Sequence, residues 1–465
     1  MSSENKKEET IDMLHGPLAG KIFKFTIPIM LSGILQLLFN ATDIIVVGRY
    51  VGSNALAAVG STGSLINLLV NLLVGLSVGA AVATGFYFGA GKPGQVKETI
   101  HTAVAISLLG GVIFAVLGLS LSPLLLRWMD TPGKILEQAA LYLKIYFLGV
   151  PAMAAYNFGS AILRSLGDTK HPLYYLTAAG VINVLLDLLL VIVFSMDVAG
   201  VAIATVASQA VSAVLTLRHL TKIDPSISME WKKIRISRSK LFRILRVGLP
   251  AGIQSTIFSF SNVMIQSSIN SFGELAVAGS SASSNVEGFV YNAMNSFYQS
   301  AQTFTSQNVG GRKYERISRV FLNCALMVTV TGLVLGLGVW HFGPSLLKIY
   351  LPGNEAAIAQ GMKRMSVIAT TYFLCGLMEV ISGELRGMGE SVLPMVVSLV
   401  GSCLLRIVWI ATVFSAFRSL TVLYLSYPVS WILTSAAHLF CFFKVKKRLV
   451  RSMEREELAE ALRKG

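Results

Sequence analysis

Charge is what this chain has least of. Only 14% of its 465 residues are Asp, Glu, Lys or Arg, and 54% are apolar, whereas charged residues make up about a quarter of an ordinary soluble domain. A water-soluble protein of this length could not cover its surface with so few charged side chains. The shortage excludes a soluble globular protein and predicts a chain that faces lipid.

The chain also lacks the residue patterns of most metalloproteins and enzymes. Its four cysteines have unrelated spacings and its six histidines show no paired spacing, so neither a disulfide framework nor a metal site is predicted. A phosphate-binding glycine loop is absent, which disfavours ATP as the energy source. A nucleophile–base cluster is absent too, so the sequence predicts neither an enzyme nor a bound cofactor.

What the chain has instead is twelve apolar stretches of roughly 20 residues or more, each long enough to cross a bilayer as a helix. The alternating ten-residue strands of a membrane barrel are missing. The stretches cover about 17–46, 56–86, 98–123, 138–163, 172–195, 199–219, 243–272, 277–305, 317–341, 357–384, 392–415 and 420–444. The sequence predicts an all-α polytopic membrane protein with twelve transmembrane helices.

A ten-residue pattern occurs twice, 222 positions apart. LRSLGDTKHP covers 163–172 and LRGMGESVLP covers 385–394, and Pro28 and Pro250 show the same separation. Six crossings in each half is an even number, so both halves enter the membrane in the same direction. The repeat therefore predicts two six-helix bundles related by a pseudo-twofold axis along the membrane normal, with a cavity between them.

The net charge of +15 is concentrated on one side of the predicted membrane. The connection 218–246 contains nine Lys and Arg residues, and the loops on the opposite side carry few. This bias predicts that both termini are cytoplasmic. Without a folded basic domain, nucleic acid is not an expected partner. The predicted domains are a cytoplasmic tail 1–16, an N-lobe 17–219, a basic cytoplasmic linker 220–242, a C-lobe 243–444 and a cytoplasmic tail 445–465.

Two acids inside the apolar stretches of the first half mark a candidate site, because a charge in lipid costs a few kcal/mol or more unless it is paired or hydrated. Asp187 follows Asn183 by four residues, so both side chains share one helix face. Asp187 lies roughly 12 Å below the outer end of its helix, and Asp43 and Thr205 lie at a similar depth. These oxygens suit a hard cation or a proton, or else each acid is neutral in a structural hydrogen bond.

The second half carries Glu287, Glu379 and Arg406 inside its apolar stretches. Glu379 and Arg406 lie in adjacent segments, which predicts either a structural ion pair or two cavity-lining groups. Glu287 begins a polar face that continues through Asn292. Amides at helical spacing indicate a wet cavity wall or contacts between helices.

The chain resembles the multidrug and toxic compound extrusion (MATE) family, DinF-like branch, over nearly its whole length. The resemblance lies in the run from Pro28 to Asp43, the LRSLGDTKHP segment, Asn183 with Asp187, and GVAIATVASQ around Thr205. It implies two bundles forming a V-shaped cavity in the cell membrane. It also implies a monomer that exports organic, often cationic, small molecules in exchange for protons or sodium ions.

By the same resemblance, the expected roles can be given residue by residue. Coupling to a cation or proton falls to Asp43, Asn183, Asp187, Thr205 and Asn157, of which the first four could hold Na⁺. The substrate cavity is expected to include Gln36, Tyr142, Met153, Glu287, Asn292 and Glu379. Independently of the resemblance, structural roles are expected for Pro28, Arg164, Pro172, Arg386 and Arg406. Arg164 and Arg386 lie at predicted cytoplasmic helix ends, where they can cap carbonyls or contact headgroups.

The second half departs from the branch of the family that also uses acids there. Its seventh segment has no carboxylate, and Cys375 stands where that branch has an aspartate. Coupling through the first lobe is therefore favoured. The alternative function is a flippase for a lipid-linked or polysaccharide precursor, for which a more basic cavity and additional helices are expected.

Overall fold

The computed structural model of the chain describes residues 10–129 and 131–464, and all regular structure in those residues is helical. The first half contains α1 (Leu18–Val46), α2 (Ser53–Gly89), α3 (Pro93–Trp128), α4 (Gly133–Ser165), α5 (Lys170–Leu188) and α6 (Asp197–Leu220). The second half contains α7 (Arg238–Asn270), α8 (Glu274–Gly310), α9 (Tyr314–His341), the short α10 (Gly343–Tyr350), α11 (Glu355–Gly387), α12 (Val392–Ser398), α13 (Leu405–Trp409) and α14 (Leu420–Lys464). Residues 1–9 and 465 of the predicted tails lie outside the described residues.

Four π-helical turns extend these helices. The turn Val47–Val51 continues α1 and Leu189–Val193 continues α5, while Leu399–Leu404 and Ile410–Phe414 join α12 and α13 into one run. The described residues thus form twelve long helical runs, six in each half. The repeat is visible in their bounds, because α4 and α11 begin and end 222 residues apart.

Ten of these runs, within the described part of the chain, are long and apolar enough to cross a membrane. The other two, α7 and α8, have 33 and 37 residues, so they are long enough but too rich in Ser, Asn and Gln. In α8 most of these polar side chains are buried among neighbouring helices. The all-α polytopic membrane fold predicted from the sequence is confirmed.

The chain forms two compact units. Unit 1 contains residues 31–88 and 92–252 with the described residues up to Ile11, and unit 2 contains 12–30, 89–91 and 253–464. Helices α1 and α7 are each divided between the units. The predicted lobe boundaries, which place each of these helices in one lobe, stay a prediction.

The repeated LRxxG pattern forms the same turn in both halves. The amide of Gly167 donates to the Arg164 carbonyl (2.9 Å), and the amide of Gly389 donates to the Arg386 carbonyl (2.8 Å). Both glycines have a left-handed φ, +97° and +86°, which ends a helix without strain only when the residue lacks a Cβ. At Gly167 a Cβ would also lie 2.8 Å from the backbone of Ile11. The pattern is therefore a helix terminus.

Close helix contacts in unit 1 bring α1, α4, α5 and α6 together. A Cβ added at Gly180 of α5 would lie 1.9 Å from the Phe39 ring of α1, and one at Gly149 of α4 would lie 2.7 Å from Val206 of α6. Only the missing side chain allows this approach. A buried cluster that includes Val46, Val191 and Val201 fills the space between these helices.

Candidate functional site

An acid pair lies in the interior of unit 1. The carboxyl group of Asp43 on α1 is within hydrogen-bonding reach of Asp187 on α5 and of Thr205 on α6. Asp187 is fully buried and Asn183, one turn earlier on α5, is 5% exposed. The structure thus brings together the residues that the sequence placed at one depth, from three helices that are separate in the chain.

Several polar atoms at this acid pair lack hydrogen-bond partners among the described residues. No hydrogen-bond donor among the described residues reaches Asp43 Oδ1 or either carboxylate oxygen of Asp187, and Asn183 Nδ2 has no acceptor. The Thr205 hydroxyl donates to the Val201 carbonyl of its own helix at 3.0 Å. Asp43 is half-buried and Asp187 is fully buried, and two ionised carboxylates that face each other in such a place repel each other unless a proton or cation lies between them. The oxygens are of the kind that a sodium ion prefers.

Two tyrosines of α4, Tyr142 and Tyr146, lie beside the acid pair. Tyr142 is buried next to both carboxyl groups, and its ring stacks on Tyr146 with 6.4 Å between the centroids. The Tyr146 hydroxyl reaches Met153 Sδ at 3.6 Å and the side chain of Gln209 on α6. Sequence reasoning missed Tyr146 and Gln209, although each lies one helical turn beyond a residue that was predicted.

The remaining predicted residues of the first half lie apart from the acids. Asn157 donates from Nδ2 to the Met153 carbonyl of its own helix at 2.9 Å. No interaction among the described residues joins it to Asp43 or Asp187. Gln36 is exposed on α1. Their roles in coupling and in substrate contact stay predictions.

Unit 2 holds a buried ion pair that the sequence did not predict. Arg364 on α11 donates from Nε and Nη2 to the Glu287 carboxylate of α8 at 2.9–3.2 Å, and from Nη1 to Ser280 at 3.0 Å. Arg364 is 8% exposed and Glu287 is 2% exposed. Arg364 follows Tyr142 by 222 residues, the period of the internal repeat. The position that holds a tyrosine beside the acid pair in unit 1 therefore holds an arginine in unit 2.

The predicted ion pair of Glu379 and Arg406 is wrong. Arg406 lies 4.2 Å over the Tyr427 ring and donates from Nε to Ser430 at 3.0 Å. Within the described part of the chain, Glu379 makes no ion pair. Arg406 is stabilised by an aromatic face and a hydroxyl instead of a carboxylate. Asn292 donates to the Gly288 carbonyl of its own helix at 3.0 Å.

The internal repeat is also seen by comparison with known families. The family model MatE matches residues 28–189 and, a second time, residues 250–412. The chain belongs to the MatE family. The two matches cover one half each, which confirms that the halves are repeats. Membership of the DinF-like branch stays a prediction.

Relatives of this MatE-family chain span nearly its full length. It is 27% identical to the probable multidrug resistance protein YpnP of Bacillus subtilis, over 92% of this chain and 95% of that protein. It is also 27% identical to the probable multidrug resistance protein YoeA of the same organism, over 81% and 82%. A MOP superfamily transporter from Pyrococcus furiosus shares the fold, with a TM-score of 0.86 at 21% identity, over 95% and 98% of the two chains.

The arginines of the repeated turns, Arg164 and Arg386, were predicted to cap carbonyls or contact headgroups. Arg386 has a different setting, because it is buried in this MatE-family chain. It donates to the Tyr298 hydroxyl and to Gln254 Oε1 at 2.8 Å, which joins α11 to α8 and α7. Arg164 donates to Ser160 at 3.2 Å.

The two prolines with predicted structural roles lie within helices. The Pro172 carbonyl accepts a hydrogen bond from the Tyr156 hydroxyl at 3.4 Å, and α1 continues through Pro28.

Replacing Arg386 by alanine should destabilise unit 2 without changing substrate affinity. Removal of the guanidinium leaves the buried Tyr298 hydroxyl and the Gln254 amide oxygen without a charged donor, at a cost of roughly 2 kcal/mol. We expect a lower melting temperature in detergent and an unchanged apparent affinity for an exported dye. A large loss of affinity at normal stability would instead place Arg386 in the substrate site.

Proposed function

We propose that the protein is a secondary active transporter that exports organic, cationic or amphiphilic compounds in exchange for protons or sodium ions. The observation that carries the proposal is the pair of Asp43 and Asp187, in which three buried carboxylate oxygens have no donor among the described residues. The names of the two Bacillus relatives as probable multidrug resistance proteins support the kind of substrate. Membership of a transporter family supports a role other than catalysis.

Ion binding at the acid pair supplies the coupling step. With a proton or a sodium ion bound, the repulsion between the two carboxylates is removed and α1, α5 and α6 are stabilised in the packing described above. When the ion leaves, two negative charges face each other in a low-dielectric interior, and that packing is destabilised. The ion therefore stabilises one conformation over another, which is what an ion gradient needs to drive a conformational cycle.

Asn183 and Thr205 complete the set of oxygens for a sodium ion. We propose that each contributes a neutral oxygen, Asn183 from one turn before Asp187 on α5 and Thr205 from its place beside Asp43. Carboxylate, amide and hydroxyl oxygens are ligands that hard cations prefer. The same carboxylates accept a proton without needing the neutral ligands. We therefore infer that protons and sodium ions compete for one site, and that both are co-substrates of transport.

Unit 2 contributes no second coupling site in this proposal. The carboxylate of Glu287 is held by three hydrogen bonds from Arg364, so a permanent internal cation already neutralises it. A mobile proton or sodium ion would have to displace a fixed guanidinium. The ion pair therefore removes Glu287 as a coupling site, and we assign coupling to the acid pair of unit 1.

The protein acts in the cell membrane as a multi-pass monomer with both termini in the cytoplasm. The basic residues of the 218–246 connection support this orientation, because Lys and Arg are enriched in cytoplasmic loops. Small organic molecules and the lipid bilayer are its partners, and no nucleic acid is required.

The test is efflux of a fluorescent cationic dye from proteoliposomes in which a proton gradient or a sodium gradient is imposed separately. Dye export under at least one gradient, abolished by dissipating that gradient, is the expected result. Export that requires ATP would contradict the proposal, as would the absence of export under either gradient. Translocation of a lipid-linked sugar precursor without dye export would favour the flippase.

A further inference from the structure

A compact cluster of Asp168, His171 and His219, here called the Asp168 cluster, lies at the ends of three helices of unit 1, away from the acid pair. Asp168 is in the turn after α4, His171 is in the first turn of α5 and His219 is in the last turn of α6. This cluster could not be predicted from the sequence, because 48 positions separate the two histidines. The fold brings the start of α5 next to the end of α6.

The ligand atoms of the Asp168 cluster converge. Asp168 Oδ2 lies 2.7 Å from His171 Nδ1 and 3.4 Å from His219 Nε2, and all three atoms lie within 4.8 Å of one another. A tetrahedral zinc ion with bonds of about 2.0–2.1 Å separates its ligands by roughly 3.3 Å. The separations in the cluster, from 2.7 Å to at most 4.8 Å, bracket this value, so side-chain movements of up to about 1.5 Å would bring these atoms to coordination distances.

His219 is oriented as metal-binding histidines are. Its other ring nitrogen, Nδ1, lies 2.8 Å from the Tyr175 hydroxyl. This partner holds the plane of the ring, and in the tautomer in which Nδ1–H donates to the Tyr175 hydroxyl, Nε2 presents its lone pair to a metal. The Asp168 carboxylate is fixed too, because its Oδ1 accepts from the His171 amide at 3.1 Å. The contacts made by the Tyr175 hydroxyl and the His171 amide support a metal site independently of the distances between the three ligand atoms.

We propose that Asp168, His171 and His219 form a site for a divalent transition metal ion such as Zn²⁺, with water as the remaining ligand. Two imidazoles and one carboxylate are the donors that zinc and neighbouring metals prefer over magnesium or calcium. The side chains of His171 and His219 are 24% and 21% exposed, so a metal ion can enter from solvent. Binding replaces the hydrogen bond between His171 Nδ1 and Asp168 Oδ2 and links α5 to α6.

The second half offers a natural contrast. Position 390, which is 222 residues after Asp168, is also an acid, but Glu390 pairs with Arg448. Position 393 is Leu393, where His171 stands in the first half. The metal site is therefore a property of the first half alone and does not follow from the repeated motif.

The test uses full-length protein in detergent from which any polyhistidine tag has been removed, titrated with Co²⁺ and then with Zn²⁺. We expect the visible absorption of tetrahedral Co²⁺, its loss on addition of Zn²⁺, and a rise in melting temperature of roughly 3–5 °C at saturating Zn²⁺. Asp168→Asn and His219→Gln should weaken binding by at least about a hundredfold, and Tyr175→Phe by about tenfold.

Two control variants separate this site from adventitious binding. Glu390→Gln and His101→Gln should bind both metals as the wild type does, because neither residue belongs to the Asp168 cluster. The proposal is overturned if the wild type shows neither the Co²⁺ spectrum nor the Zn²⁺-dependent stabilisation. It is equally overturned if His219→Gln or Tyr175→Phe responds as the wild type does. In either case the cluster is only a hydrogen-bonded helix junction.

Discussion

Replacing Asp187 by asparagine should abolish gradient-driven export while the protein still folds. Asparagine has nearly the same size as aspartate but cannot bind a proton or neutralise a sodium ion, so the site loses the charge that ion binding requires. We expect dye efflux to fall at least about tenfold, as it would if roughly 1.4 kcal/mol or more of ion-binding free energy were lost. Asp43→Asn should behave in the same way.

Asp197→Asn is the matched control for this experiment. Asp197 is an exposed aspartate at the start of α6 in the same unit, outside the acid pair. It should keep wild-type efflux and wild-type stability. If Asp187→Asn exported dye at the wild-type rate in the same vesicles, the coupling site would lie elsewhere. Melting temperatures of all variants should be compared first, so that a loss of export is not a loss of folded protein.

The second large effect is expected from Arg364. Arg364→Ala removes the three hydrogen bonds to Glu287 and leaves a buried carboxylate without a counter-charge. Breaking a buried ion pair in this way costs about 3–5 kcal/mol. The double variant Arg364→Met with Glu287→Leu should recover much of that loss, because two apolar side chains leave no unpaired charge.

Lys348→Ala provides the comparison for Arg364→Ala. Lys348 pairs with Glu355 at 3.2 Å in the same unit, but their side chains are 56% and 70% exposed. Such a surface pair contributes at most about 1 kcal/mol. A loss of stability in Arg364→Ala as small as that in Lys348→Ala would show that the buried pair does not stabilise unit 2.

The readout for these variants is built into the chain. All four cysteines are free and buried, and all of them lie in unit 2. A dye that fluoresces on reaction with thiols therefore reports the thermal unfolding of unit 2, where the Arg364, Arg386 and Lys348 variants act. Unit 1 variants need a second method, such as calorimetry.

Helix number, the repeat and the acid pair could be predicted from the sequence for physical reasons. Lipid requires long apolar helices, and the count of apolar stretches therefore gave twelve even though α7 and α8 are polar. An acid inside such a stretch is costly, so Asp43 and Asp187 were recognisable individually. Their common depth followed from the helical rise alone.

The ion pair between Arg364 and Glu287 in unit 2 could not be predicted from the sequence. Arg364 lies inside the predicted segment 357–384 and could have been noticed, but a sequence does not say which acid a buried arginine will face. Glu379 and Arg406 were adjacent in segment order, yet the rotation of each helix directs Arg406 to Tyr427. The π-helical turns after Asp43 and Asp187 also gave no signal, because they arise from packing and not from local propensity.

The most direct test of the central claim is whether one site built on Asp43 and Asp187 exchanges protons for sodium. Purified protein in weak buffer should be titrated with sodium chloride and, to control for ionic strength, with choline chloride. The account predicts that sodium but not choline releases protons from the wild type, and that Asp43→Asn releases none. Equal proton release and equal sodium binding by the wild type and Asp43→Asn would contradict it.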